Sequence, residues 1–222
     1  MGSHGGSRRV AITGRRGRRV LDRYIIPTQE RLLRPLALWC LRRGITPNRI
    51  TIAGFAIGLT AVPAIASGHF MVGLALIAIN RILDGLDGVV ARLAGQATDR
   101  GAFLDIALDF FFYAAVPFAF VLFDPIANGL AGSFLLLSFI GTGSSFLAFS
   151  VIAERQGLTS VTMPRKGLYY LGGITEGAET IALFVAICLF PVAFPAIATT
   201  FAVLALLTTL ARWWWGWKTF AA

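Results

Sequence analysis

Four aspartates recur at helical spacings within twenty-six residues of two largely apolar segments, in the order Asp84-x2-Asp87-Gly88-x2-Ala91-Arg92-x8-Gly101-x3-Asp105-x3-Asp109. An ionised Asp at the centre of a membrane helix costs roughly 2.5–3.5 kcal/mol on insertion scales, so four together need a polar cavity and cations. The alternative, a structural ion-pair network, has only Arg81 and Arg92 on these helices to balance four acids. Asp84 and Asp87 share one helical face with Gly88 and Ala91, and Asp105 and Asp109 lie one turn apart on a second face that Gly101 opens. If the faces meet, four carboxylates converge. Neither His4 nor His69 is near, so the ligands are oxygens and favour a hard cation, Mg²⁺ or Mn²⁺, over zinc. Such a cluster can hold two divalent ions and suits phosphate chemistry. Arg92 adds a planar cation for phosphate oxygens, while Gly88 and Ala91 admit a diphosphate close to the backbone or serve plain helix packing.

The elements that must carry these groups are membrane helices. The chain has 222 residues, 56% of them hydrophobic and 14% charged, with a mean hydropathy of +0.73. Apolar segments at 50–68, 71–92, 102–123, 128–152, 175–190 and 194–215 approach the roughly 20 residues that cross hydrocarbon as a helix. The expected fold is therefore all-α, a bundle of six transmembrane helices. Continuous apolar runs without alternation argue against a membrane β-barrel. Residues 21–43 mix Leu and Ile with arginines as an interfacial amphipathic helix does, broken at Pro27 and Pro35 and ending at Gly44. Thr46 is then a helix N-cap with Pro47 at the first helical position. Residues 1–19 are expected to form a basic, disordered arm and 20–222 the membrane domain.

Twelve arginines against Asp22 and Glu30 in the first forty-nine residues hold that end in the cytoplasm, and no cleavable signal peptide is expected. Alternate crossings place His69 and Asp124 outside, and residues 92–100, the 154–166 loop and Lys218 inside. Both termini and the carboxylates then face the cytoplasm. The net charge of +9 lies mostly in the arm, so anionic lipid is the expected partner rather than nucleic acid. Trp213, Trp214, Trp215 and Trp217 read as an interfacial aromatic belt. Cys40 and Cys188 should be separated by roughly 30 Å of hydrocarbon, which precludes a disulfide.

Residues 84–109 match at every fixed position the signature of the CDP-alcohol phosphotransferase (CDP-alcohol phosphatidyltransferase) family, and the Gly44-Ile45-Thr46-Pro47-Asn48 entry and the six spans resemble that family over about residues 24–217. The resemblance implies displacement of CMP from a CDP-linked donor by an alcohol hydroxyl. It implies that Asp84, Asp87 and Asp105 bind two divalent cations, Mg²⁺ or Mn²⁺, and that Asp109 contacts metal and acts as general base. Asp84, Gly88, Ala91, Arg92 and Gly101 match positions lining the CDP site. Asn48 and Thr51 face the nucleotide, or merely cap a helix. A homodimer in the bacterial inner (cytoplasmic) membrane and a CDP-diacylglycerol donor also follow from the resemblance.

The acceptor is less legible. Arg155, Arg165 and Lys166 could bind an acceptor phosphate, or reflect only positive-inside charge. Glu176 and Glu179 could recognise an ammonium or sugar hydroxyls, or pair with Arg165, Lys166 or Arg81. Phe110 stands where several relatives making phosphatidylglycerol phosphate or cardiolipin carry Lys, which counts against glycerol 3-phosphate, the acceptor nevertheless taken as a first guess. A variant within the class transfers a phospho-alcohol from CDP-alcohol to diacylglycerol. The rival classes are a divalent-cation or proton-coupled transporter, disfavoured by the lack of an internal repeat, and a catalytically silent assembly protein.

Overall fold

The computed structural model describes residues 22–157 and 177–221, with side chains from Glu30 onward, and every regular element among these residues is a helix. The basic arm, Arg165, Lys166 and Glu176 lie outside the described residues. Helix α1 (Asp22–Arg42) is a single helix rather than the expected broken one. The fixed φ of proline is itself helical, so Pro35 costs a missing backbone donor without forcing a break. The helix ends as expected at Gly44, whose φ of +67° is open to glycine, and Ile45 N–H closes the turn on Cys40 C=O at 3.0 Å.

The first expected span is two helices, α2 (Pro47–Leu59) and α3 (Ala61–Ala66), parted at Thr60. Pro63 lacks the N–H that would continue the α2 ladder across this point. Thr46 occupies the N-cap position with extended backbone but makes no capping bond through its side chain. Helix α4 (Phe70–Ala94) and α5 (Asp99–Phe123) carry the motif and are joined by a short turn, where Gly95 adopts φ +63° and Thr98 Oγ1 accepts from Gly101 N–H at 3.2 Å. Helix α6 (Pro125–Arg155) is capped by Asp124, whose Oδ1 accepts from Ile126 and Ala127 N–H. Helix α7 (Gly177–Leu189) is followed by a short 3₁₀ turn (Pro191–Ala193) and α8 (Phe194–Thr219).

Four of these stretches are long and apolar enough to cross a membrane: Pro47–Ala66, α5, α6 and Pro191–Thr219. They mark an integral membrane protein. The remaining two expected spans differ for separate reasons. Helix α4 has the length but carries Arg81, Asp84, Asp87 and Arg92, and the 13 described residues of α7 extend about 20 Å at a rise of about 1.5 Å per residue.

Two cores fix the helices. Ile77, Phe112, Val116, Phe120, Phe184 and Phe194 belong to the larger one, which joins α3 to α8. In the smaller one, Ala37 and Cys40 of α1 and Ile50 of α2 close on Leu86, Val89 and Val90, the back of the motif face of α4. Cys40 and Cys188 are free thiols in these separate cores.

Candidate active site

Helices α4 and α5 both pack on α2, and carboxylates from α4 and α5 face one another beside it. One oxygen each from Asp84, Asp105 and Asp109 lies within 4.8 Å of the others. Three carboxylates therefore converge, where the spacing suggested four. Asp87, buried to 7% exposure, is engaged instead by the Thr51 hydroxyl across the α2–α4 contact. That hydroxyl also lies 3.1 Å from Pro47 C=O, so Thr51 is a carboxylate partner on α2 rather than a cap.

The small residues of the motif bring neighbours close. A Cβ on Gly101 would lie 3.2 Å from Asn48 Oδ1, which puts the start of α2 against the start of α5. A Cβ on Gly88 would lie 3.3 Å from Arg92 Nη1, so the Arg92 guanidinium folds back over that glycine. Arg92 is half exposed and its Nε is 3.9 Å from Glu30 of α1. Ala91 is half-buried one turn beyond Asp87.

Beneath the cluster lie Arg81, read from the sequence only as a possible counter-charge, and Asn80 and Tyr113, which that reading does not mark. Arg81 Nη2 donates to Asp109 Oδ1 at 2.8 Å, and Nη1 lies 3.6 Å from Asp84 Oδ2 and 3.2 Å from the Tyr113 hydroxyl. Asn80 accepts from Arg81 Nε at 2.8 Å and donates to Gly54 C=O of α2 at 2.9 Å. The signal was present, because a buried Asn-Arg pair one turn before Asp84 in an apolar helix must find partners. Arg81 is thus committed to Asp109 and Asp84.

Of the suggested acceptor contacts, Arg155 and Glu179 are exposed at the end of α6 and the start of α7. Neither joins the carboxylate cluster. Beside the site, an open, largely apolar cleft of about 670 Å³ runs between α5, α6, α7 and α8, and Tyr113 borders both. Phe110 lines this cleft with its ring against Gly143, and Arg212 donates from Nη1 to Thr142 C=O at 3.0 Å at its edge.

An all-oxygen donor set of three converging carboxylates fits a hard divalent cation, and among the described residues the Arg81 ion pairs offset only part of its negative charge. Comparison with known proteins bears on that chemistry. The family model for CDP-alcohol phosphatidyltransferase matches residues 44–217. The chain is 49% identical to the inner membrane protein YnjF of Escherichia coli, over 90% of this chain and 97% of that one. It is 30% identical to an archaetidylinositol phosphate synthase of Methanothermobacter thermautotrophicus, over 76% and 73% of the respective chains. The crystal structure of Mycobacterium tuberculosis phosphatidylinositol phosphate synthase with CDP-DAG bound superposes with a TM-score of 0.63 at 24% identity, covering 84% of this chain and 94% of that one, and so shares the fold. The chain belongs to the CDP-alcohol phosphatidyltransferase family and is a membrane transferase of substituted phosphate groups in phospholipid biosynthesis, with the family's dependence on divalent cations.

Proposed function

We propose that the protein joins CDP-diacylglycerol to a phosphorylated polyol of the inositol phosphate type, releasing CMP. The observation that carries the transferase chemistry is the convergence of Asp84, Asp105 and Asp109 on one point beside Arg81. The choice of acceptor is supported by relatives named as archaetidylinositol phosphate and phosphatidylinositol phosphate synthases, the latter from Streptomyces avermitilis at 35% identity over 49% of this chain. None of the relatives described supports glycerol 3-phosphate.

In this reading Asp84, Asp87, Asp105 and Asp109 hold two divalent cations, Mg²⁺ or Mn²⁺. When bound, these supply neutralisation of the diphosphate and of the departing oxygen. Gly88 and Ala91 let the diphosphate approach α4, and the Arg92 guanidinium above Gly88 offers its donors to phosphate oxygens. Asn48 and Gly101 border the nucleotide where α2 meets α5. Thr51 orients Asp87. Asp109 accepts the proton of the acceptor hydroxyl as its oxygen bonds to the phosphorus of the phosphatidyl group. The bond from that phosphorus to the CMP oxygen breaks, and CMP leaves with the electron pair.

The same reading has six spans with both termini in the cytoplasm, α1 lying in the interface and the protein a homodimer in the bacterial inner membrane. The name of the Escherichia coli relative supports the location. Single cysteines at His69 and Gln96, in a background lacking Cys40 and Cys188, are expected to react with impermeant maleimide from opposite sides.

The test of function is CMP release from CDP-diacylglycerol by purified protein with Mn²⁺, screened against inositol phosphate, inositol, glycerol 3-phosphate, serine, choline and ethanolamine. Stimulation by inositol phosphate is expected. Stimulation only by another alcohol would overturn the acceptor, and release only from a CDP-alcohol with diacylglycerol would overturn the donor. Cation flux without any CDP-linked substrate, and no CMP release, would overturn the transferase reading.

A further inference from the structure

Arg81 lies outside the motif that marks the family, yet every edge of its guanidinium is engaged. Nη2 binds Asp109, Nη1 faces Asp84 and Tyr113, and Nε binds Asn80, which is itself tied to α2 through Gly54 C=O. Its Cζ sits 5.0 Å from the Phe112 ring centroid and 5.3 Å from that of Tyr113. The side chain is 16% exposed. A guanidinium fixed on so many sides cannot swing away, so its place beside Asp109 is built into the packing of α2, α4 and α5.

We propose that Arg81 is a positioning residue for the transfer: a fixed cation that occupies one oxygen of Asp109 and keeps this carboxylate from closing on bound metal with both oxygens. The inference rests on the role given above to Asp109 as base. A carboxylate can bind a divalent cation through one oxygen or both, and each oxygen so used is lost to the acceptor hydroxyl. The charge-assisted bond from Arg81, about twice as strong as a neutral one, competes for the same oxygen. The guanidinium also repels a cation held by Asp84 and Asp109. Arg81 therefore weakens metal binding in exchange for an available base.

This gives a signature that a merely structural residue would not. Loosening the cluster by loss of packing weakens metal binding and turnover together. Removing Arg81 should tighten the metal while slowing the reaction. The experiment compares wild-type protein with Arg81→Gln and Arg81→Lys, measuring Mn²⁺ binding without substrate from the electron paramagnetic resonance signal of the free ion, alongside kcat and KM. Arg81→Gln is expected to bind Mn²⁺ about tenfold more tightly, because a like charge next to the site is gone. Its kcat is expected to fall about 100-fold, within the range attributed to a positioned base, with KM for CDP-diacylglycerol within about threefold of wild type. Arg81→Lys keeps the charge but not the planar fork, and should lie between the two in both quantities.

Unchanged or weaker Mn²⁺ binding in Arg81→Gln, or an unchanged kcat, would overturn the proposal. Should Arg81→Gln fail to fold, Arg81→Lys decides: tighter Mn²⁺ with lower kcat supports it, and any other combination overturns it. Asp109→Asn separates the two ideas. Turnover surviving in that variant would remove Asp109 as base, and with it the positioning role, whatever the Mn²⁺ comparison gave.

Discussion

Replacing Gly58 by Ala adds one methyl group where α2 meets both α4 and α5. The new Cβ would lie 2.9 Å from Asn80 Cγ, 2.9 Å from Asn80 Nδ2 and 2.9 Å from Phe112 Cε2. Ordinary carbon contacts need about 3.5–4.0 Å. Neither neighbour has a free end to move, because Asn80 is 4% and Phe112 1% exposed. Overpacking of this kind costs about 1–3 kcal/mol. Displacing Asn80 from Gly54 C=O removes about 1 kcal/mol more, and the preference of a helix for Ala over Gly returns about 1 kcal/mol. The net loss is about 1–3 kcal/mol, which lowers Tm by about 2–4 °C per kcal/mol for a chain of this size. Turnover should fall as well, because Asn80 holds Arg81 Nε and Arg81 holds Asp109. The matched control is Gly129→Ala in α6, whose Cβ meets nothing within 4 Å; it should leave turnover at the wild-type value and Tm no lower than wild type, since only the helix preference for Ala acts there. Thermal unfolding in detergent and CMP release measure the two effects. Equal Tm and equal turnover in the two variants would refute the path from the α2 contact to Asp109.

Thr51→Val keeps the branched shape and removes the hydroxyl that engages buried Asp87, a bond to a charged group that contributes about 1.5–3 kcal/mol. At least a tenfold rise in the Mn²⁺ needed for half-maximal rate is expected, with Thr51→Ser near wild type; equal behaviour of Val and Ser would detach Thr51 from the site. Asp109→Asn should abolish turnover and leave CDP-donor binding within a few-fold by calorimetry, whereas equal loss of binding would make Asp109 chiefly a metal ligand. EDTA should abolish CMP release and either Mn²⁺ or Mg²⁺ restore it; rescue by zinc alone would contradict an all-oxygen site.

The carboxylates were legible because their cost in a membrane helix leaves few readings of such a cluster, and their spacing of three and four puts each pair on one helical face. Spacing along a helix does not say which face of a neighbour it meets. That is why Asp87 reads as a fourth member of the cluster, although the structure turns it to Thr51, thirty-six residues earlier on α2. The same holds for Arg81, whose partner Asp109 lies twenty-eight residues ahead on α5. Helix ends marked by glycine with positive φ were readable at Gly44, because the cap is local. The interruption at Thr60 was not, since the apolar run continues through it.

By itself the sequence determined the chemistry available: hard-cation carboxylates, a small-residue face for a phosphate group, and apolar helices to hold them, all set by residue type and by periodicity within single helices. Only the tertiary structure decided how that chemistry is divided. It brought Asp84, Asp105 and Asp109 together, assigned Asp87 to Thr51, and set Arg81 beneath Asp109 with Asn80 and Tyr113 around it. The physical reason is that a carboxylate is committed by whatever charge or donor stands within about 3 Å of it, and at that range the neighbours are chosen by the packing of α2, α4 and α5 rather than by order along the chain.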